Sequence, residues 1–274
     1  MEMERNTFLI KIGGSIATDK GKPRTANTGL LKSLLSEIHT ATRETGARLV
    51  LGHGGGSYPH ATAVKYGLKA SGSITDANRL GFLMTQLDAR ELNTIIANIA
   101  VELDMPVFPI SPSSFCVVEN GAIKVGTATP ITAALENGYI PLVYGDCIQG
   151  LGGRYGICST ESIFEFLCGY IRPNTVISIG DIAGVYDEDP HKRHDAKLIR
   201  TVSRSNIDKV LAYAGGSMHA DVTGGMADKL VQLWKISAKI GKECHIVDGT
   251  VPGNVYNLVT GAQDVPHTTI DAMV

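Results

Sequence analysis

The sequence is short of several things. Its 274 residues include five cysteines and one tryptophan, aromatic residues make up 6%, and the formal charge is only −2. The cysteines, Cys116, Cys147, Cys158, Cys168 and Cys244, form no C-x-x-C pair and sit mostly in apolar runs such as Glu165-Phe-Leu-Cys168. An odd number without framework spacing excludes a disulfide scaffold and offers no zinc-ligand pattern, so these read as buried thiols in a reducing, cytoplasmic setting. The near balance of charge argues against a nucleic-acid-coating surface. No apolar stretch, Asn93 to Val101 included, approaches the roughly 20 residues that cross a bilayer, so no membrane contact is expected. The N-terminal Met1-Glu-Met-Glu-Arg-Asn6 is acidic where a signal peptide would be basic. Established phosphate fingerprints are missing too: no G-K-[ST] follows Gly52–Ser57, no G-x-G-x-x-G opens the first helix, and H-R-D and D-F-G are absent.

Glycine, by contrast, is plentiful, with 31 residues, about 11% against a usual share near 7%. A chain of this length suits one large domain or two joined lobes at about 150 residues per domain, and no linker or repeat divides it. Phe8–Ile12 reads as a buried strand ended by Gly13-Gly14. Leu30, Leu31, Leu34, Leu35 and Ile38 then recur at helical spacing, with Gly46 as C-cap, before the strand Leu49–Leu51. The alternation continues with a long helix over 76–103, capped by Asp76, and a strand over 106–110. A helix over 128–137 and the strand 140–144 follow. Five glycines between Gly145 and Gly156 predict a loop and hairpin. Beyond it come a helix over 160–169, a strand at 175–179, a helix over 226–241 and a strand at 244–247. Strands alternating with helices predict a mostly parallel sheet covered on both faces.

Three glycine turns stand at strand ends or helix starts: Lys11-Ile-Gly-Gly-Ser15, Gly52-His-Gly-Gly-Gly-Ser57 and Thr223-Gly-Gly-Met-Ala-Asp-Lys229. Glycine lets backbone amides approach an anion closely, so several phosphates are implied. Lysines accompany them. Lys11 lies inside an apolar strand, where an ammonium without an anion is costly; Lys20 ends Thr18-Asp-Lys20, and Lys229 follows Gly225 by four residues. The charged segment from Asp187 to Arg193, with His194, reads as a solvated loop.

Lys11-Ile-Gly-Gly-Ser-Ile-Ala-Thr-Asp-Lys20, the Gly54-Gly-Gly-Ser57 turn followed by His60, Gly145-Asp146, Asp181-Ile-Ala-Gly-Val-Tyr186 and Asp221-Val-Thr-Gly-Gly-Met-Ala-Asp-Lys229 together resemble the amino acid kinase family in order and spacing. The Thr-Asp-Lys ending and the position of His60 look like its isopentenyl phosphate kinase branch. The resemblance implies an open αβα sandwich, residues 1–274 as one domain, with an acceptor lobe over about 1–170 and an ATP lobe over about 171–274. It further implies that Lys11, Gly13, Gly14, Ser15, Gly56, Asp181, Tyr186, Gly225 and Lys229 contact ATP. Gly54, Gly55 and His60 would hold the acceptor, Lys20 would bridge the transferred phosphoryl group, and Asp146 would orient the lysines. A homodimer and a place in isoprenoid synthesis, in an alternative mevalonate route, are implied as well.

The pattern is broken in three places. Tyr58-Pro59 replaces Phe-Gly, Ser159-Thr-Glu161 replaces Ser-Gly-Asp, and Ala183 replaces a second Asp. Thr160 therefore stands where the family places a backbone contact to the acceptor.

The chemistry of such a set is consistent with a phosphate acceptor. Phosphoryl transfer proceeds through a loose transition state, so alignment and charge neutralisation dominate. A phosphate monoester, with a second pKa of about 6, is already largely dianionic at pH 7 and needs no general base. His60 would donate a hydrogen bond to it. Mg²⁺ is expected to bridge ATP phosphates, and no protein ligand for it is named. Leu80, Phe82, Leu83 and Leu87 are candidates for either the core or a hydrocarbon pocket. His53, between two glycines, reads as structural. The alternatives are a related phosphate or phosphonate kinase of the fosfomycin type and a nucleotide-binding protein of the same fold without turnover.

Overall fold

The computed structural model describes residues 6–119, 122–190, 192–193, 195–214 and 225–274. The chain begins with β1 (Thr7–Ile12), the single turn α1 (Gly14–Ala17), α2 (Thr28–Thr45) and β2 (Arg48–His53). It continues through α3 (Pro59–Lys65), β3 (Ser71–Ser73), α4 (Arg79–Glu102), β4 (Val107–Pro109), β5 (Cys116–Glu119) and β6 (Ala122–Gly126). Next come α5 (Thr129–Glu136), β7 (Ile140–Tyr144), β8 (Asp146–Gln149), β9 (Arg154–Cys158), α6 (Thr160–Leu167) and β10 (Thr175–Gly180). The remainder is β11 (Val185–Tyr186), β12 (Leu198–Ile199), β13 (Thr201–Val202), α7 (Ile207–Ala214), α8 (Met226–Ile240), β14 (Cys244–Asp248), α9 (Asn254–Thr260) and β15 (His267–Ile270).

Eight strands form the central sheet in the order β13-β15-β14-β10-β1-β2-β7-β4. Every pairing in it is parallel except that of β14 with β15. Alternation along the strands supplies two apolar faces. Leu9, Val50, Val143, Val176 and Ile246 face a layer containing Ile131, Phe164, Leu167, Leu230 and Leu233. Their neighbours Ile10, Leu51, Leu142, Ile177 and Val247 face α2, α4 and α9 through Leu34, Ile38, Leu92, Ile96 and Val255. A buried parallel sheet needs this cover on both sides, and the result is an open αβα sandwich. Helices α2 and α8 end on Gly46 and Gly241, both at φ 65°, where a side chain would be strained.

The predicted hairpin is β8 and β9, joined antiparallel and extended by β3. Two expectations change. Helix α4 begins at Arg79 after Asn78, whose side chain accepts from the Thr75 amide and donates to Ser73 O; Asp76 instead pairs with Arg79 on the surface. Leu80, Leu83 and Leu87 are 62%, 47% and 58% exposed, so they do not lie in the core. Phe82 alone turns inward, into a small cluster with Ala63, Leu68, Cys147 and Tyr155. All five cysteines are buried, and none is in a disulfide. Among the described residues no helix is long and apolar enough to cross a membrane.

Candidate active site

The parallel strands all deliver their C-terminal ends to one edge. From β1 the chain moves outward to β2 on one side, while the later β10 and β14 lie on the other, so the order reverses beside β1. Such a reversal opens a crevice beyond the strand ends, where ligands of α/β proteins bind. Lys11, Gly13-Gly14 and Gly180 all lie there.

Two glycine turns build the floor. A Cβ on Gly14 would come within 2.7 Å of Gly56 N, and Gly56 itself has φ 55°. The turns after β1 and β2 are therefore pressed backbone to backbone, which only glycine permits. Thr18 locks them: its hydroxyl donates to Gly14 O at 2.9 Å and accepts from the Ser57 amide at 2.8 Å. Gly54 is equally tight against Gly14 N, and Gly55 against Pro59. Gly13 donates its amide to Ile179 O, tying the same turn to β10. Ser15 is half-buried in α1.

On the face of β1 shared with α6 and α8, Lys11 meets Glu161 in an ion pair. Glu161 is placed by the first turn of α6, which Ser159 caps by accepting from the Ser162 amide at 3.1 Å. Burial alone would raise the Glu161 pKa, but Lys11 and Lys229 hold it below the ordinary value. Lys229, one turn into α8, has its pKa lowered to about 8 by desolvation and by Lys11, against the pull of Glu161 and Asp181; Lys20 lowers it further. Four charged segments distant in sequence thus share one electrostatic neighbourhood. A Cβ on Gly180 would lie 3.7 Å from the Lys229 ammonium.

Asp146 is placed differently from its expected role. Its carboxylate accepts from the Ser113 amide at 3.1 Å, its other oxygen has no partner, and no lysine is among its contacts. Desolvation raises its pKa to about 6. The carboxylate on the lysines is Glu161, which motif reading passed over because the resembling pattern has a shorter Asp there. The signal was present as an acid two residues after a strand-to-helix Ser.

The remaining residues divide. His60 is half-buried at the second position of α3, directly after the glycine turn, and Lys20 is exposed on the loop between α1 and α2. Thr160 is buried, donates to His53 O at 2.7 Å, and lies against Gly52. Asp181 is exposed at the end of β10, Tyr186 pairs with Leu198 in a small ribbon, and Gly225 caps α8. Residues 221–224 of the last motif, and His194, lie outside the described residues. His53 is fully buried, with its ring stacked on Tyr144 and its pKa lowered to about 4 by desolvation, as a structural role requires. Among the described residues no group of three or more His, Cys, Asp or Glu is arranged to hold a metal.

A doubly wound sheet with glycine turns and converging lysines at its switch point defines a nucleotide-type phosphotransferase scaffold. The chain belongs to the amino acid kinase family, which matches residues 6–248. It is similar to the isopentenyl phosphate kinase of Methanocaldococcus jannaschii, 30% identical over 276 residues, covering 96% of this chain and 98% of that protein. The enzyme of the same name from Methanothermobacter thermautotrophicus is 29% identical, covering 93% and 96%. A solved structure of isopentenyl phosphate kinase superposes with a TM-score of 0.80 at 26% identity, covering 97% of this chain and all of that one.

Proposed function

We propose that the protein is an ATP-dependent kinase that converts isopentenyl phosphate to isopentenyl diphosphate. The observation that carries this reading is the Lys11–Glu161–Lys229 cluster, with Lys20 electrostatically joined to it, above two interlocked glycine turns. Glycine lets these two turns pack against each other at the strand ends, where backbone amides suit phosphate oxygens. In this reading Lys11, Gly13, Gly14, Ser15, Gly56, Gly225 and Lys229 receive the ATP phosphates, with Asp181 and Tyr186 at the nucleotide. Gly54, Gly55, His60 and Thr160 face the acceptor, and Lys20 neutralises the moving phosphoryl group. Glu161 takes the lysine-orienting role expected of Asp146. The N-terminal part holds the acceptor and the C-terminal part ATP. Mg²⁺ would supply charge neutralisation to the bound ATP, and no protein ligand for it is named.

In this reading the hydrocarbon tail is directed toward the apolar cluster of Ala63, Leu68, Phe82 and Tyr155 beside α3, which carries His60. The acceptor arrives ionised, so the chain need only align it and screen its charge. A homodimer and a cytoplasmic setting in isoprenoid synthesis belong to the same proposal. ADP release with isopentenyl phosphate, ATP and Mg²⁺ tests it: turnover well above the ATP-only rate is expected and should collapse in His60→Ala. A rate equal to that background ends the proposal.

A further inference from the structure

The loop that carries Lys20 is fastened by a residue outside every motif used so far. Residues 18–26 fold back on themselves through a bridge between Thr18 and Ala26 and a hydrogen bond from Asp19 N to Thr25 O. On the returning strand of that loop sits Arg24, one of two non-glycine residues with positive φ among the described residues, at 51°. Bulky residues rarely adopt this backbone conformation unless their surroundings over-determine it. They do so here. The Arg24 amide donates to Ser57 O of the second glycine turn, and its guanidinium forks onto Asp88 and Glu91, one turn apart on α4. The same group lies 5.7 Å over the ring of Tyr58, whose hydroxyl is hydrogen-bonded to the Ala26 backbone. Asp88, only 5% exposed, also accepts from Thr62, two residues after His60 on α3.

One residue therefore joins the Lys20 loop, the acceptor turn, the His60 helix and α4. We propose that Arg24, through Asp88, is a positioning residue that fixes Lys20 in register with His60, so that the transferred phosphoryl group is gripped only when both are in place. The inference rests on the reading of Lys20 and His60 given above. A forked guanidinium suits this task because it holds two carboxylates in one plane, whereas an ammonium would hold one.

Arg24→Met should lower kcat about 100-fold, since small misplacement of a catalytic group costs on that order, while KM for ATP stays within about threefold. Arg24→Lys should recover part of the loss. The decisive measurement is a double-mutant cycle in kcat with Lys20→Ala. If Arg24 acts through Lys20, the double variant is no slower than Lys20→Ala alone; losses that multiply would overturn the proposal. A second readout is independent of the acceptor. Hydrogen–deuterium exchange in Arg24→Met should quicken together over residues 18–27 and 55–62, and unchanged exchange over 18–27 would equally overturn it. If the parent enzyme does not turn over isopentenyl phosphate, the acceptor reading fails, and the exchange experiment still decides the clamp.

Discussion

Lys11 sits where the surrounding strand is apolar, and its charge is tolerable because Glu161 answers it from another element. The pair is only part of the arrangement, since burial and Lys11 lower the pKa of Lys229 to about 8 while the same carboxylate pulls it back up. For ATP binding the protonated form of Lys229 is the useful one. Its folded pKa of about 8 places the loss of charge just above neutrality, so kcat/KM for ATP should fall as pH rises through that value. Glu161→Gln removes the anion that sustains the ammonium, and the falling limb should then move to lower pH. The same variant strands Lys11, and removing one partner of a buried pair typically costs about 3–5 kcal/mol of stability. A pH–rate profile and a urea titration measure both effects; a limb that stays in place would separate Glu161 from Lys229.

At the scale of the elements, two histidines tie stability to pH. His53 ends β2, and His245 on β14 lies across from Thr269 and edge-on to His267; burial lowers both to about 4. A histidine whose folded pKa lies below its ordinary 6.5 gathers its proton more readily when unfolded, so its contribution is present above 6.5 and drains away as pH falls toward 4. Asp146, raised to about 6, has the opposite sign: its contribution is present below its ordinary 3.8 and is lost as pH rises through 6. Urea midpoints should therefore decline between pH 6.5 and 4, and Asp146→Asn should steepen that decline by removing the opposing group. A flat profile would mean that these groups take up protons equally in the folded and unfolded states. The elements themselves differed in legibility for physical reasons. Helices α2, α4 and α8 and the five innermost strands carried enough apolar periodicity to be read directly. The two-residue strands β11, β12 and β13 and the four-residue strand β15 are too short to show a period, and α9 is held by tertiary contact, with Glu37 accepting from Gly253 and Tyr256. The start of α4 was misplaced because Asp76 and Asn78 are both good cap types and only the loop geometry chose between them.

For the molecule as a whole, parallel order and a reversal beside β1 concentrate the chemistry along one edge, which is why motifs as far apart as Lys11 and Lys229 could be read together. Lysines and glycines announced themselves by residue type and place. Glu161 and Arg24 did not, because an acid in a helix turn and an arginine in a loop look ordinary until folding brings their partners to them. One surface is left uncovered: Leu80, Leu83, Met84 and Leu87 run along α4 as an exposed apolar stripe. A monomer gains little from such a face, and a second copy is its natural cover under the dimer proposal. Sedimentation velocity should show a dimer, and Leu83→Glu with Leu87→Glu should give a monomer. A parent protein already monomeric at micromolar concentration would discard the dimer.

The buried thiols have a practical corollary. Cys116, Cys158 and Cys168 are held protonated, with pKa values near 12, and Cys147 and Cys244 are pushed up as well. Maleimide chemistry attacks the thiolate, so native sites offer it almost no competition at neutral pH. A cysteine introduced at the exposed Lys22 would then accept a single fluorophore, and its anisotropy would follow the Lys20 loop in real time without any native cysteine having to be replaced.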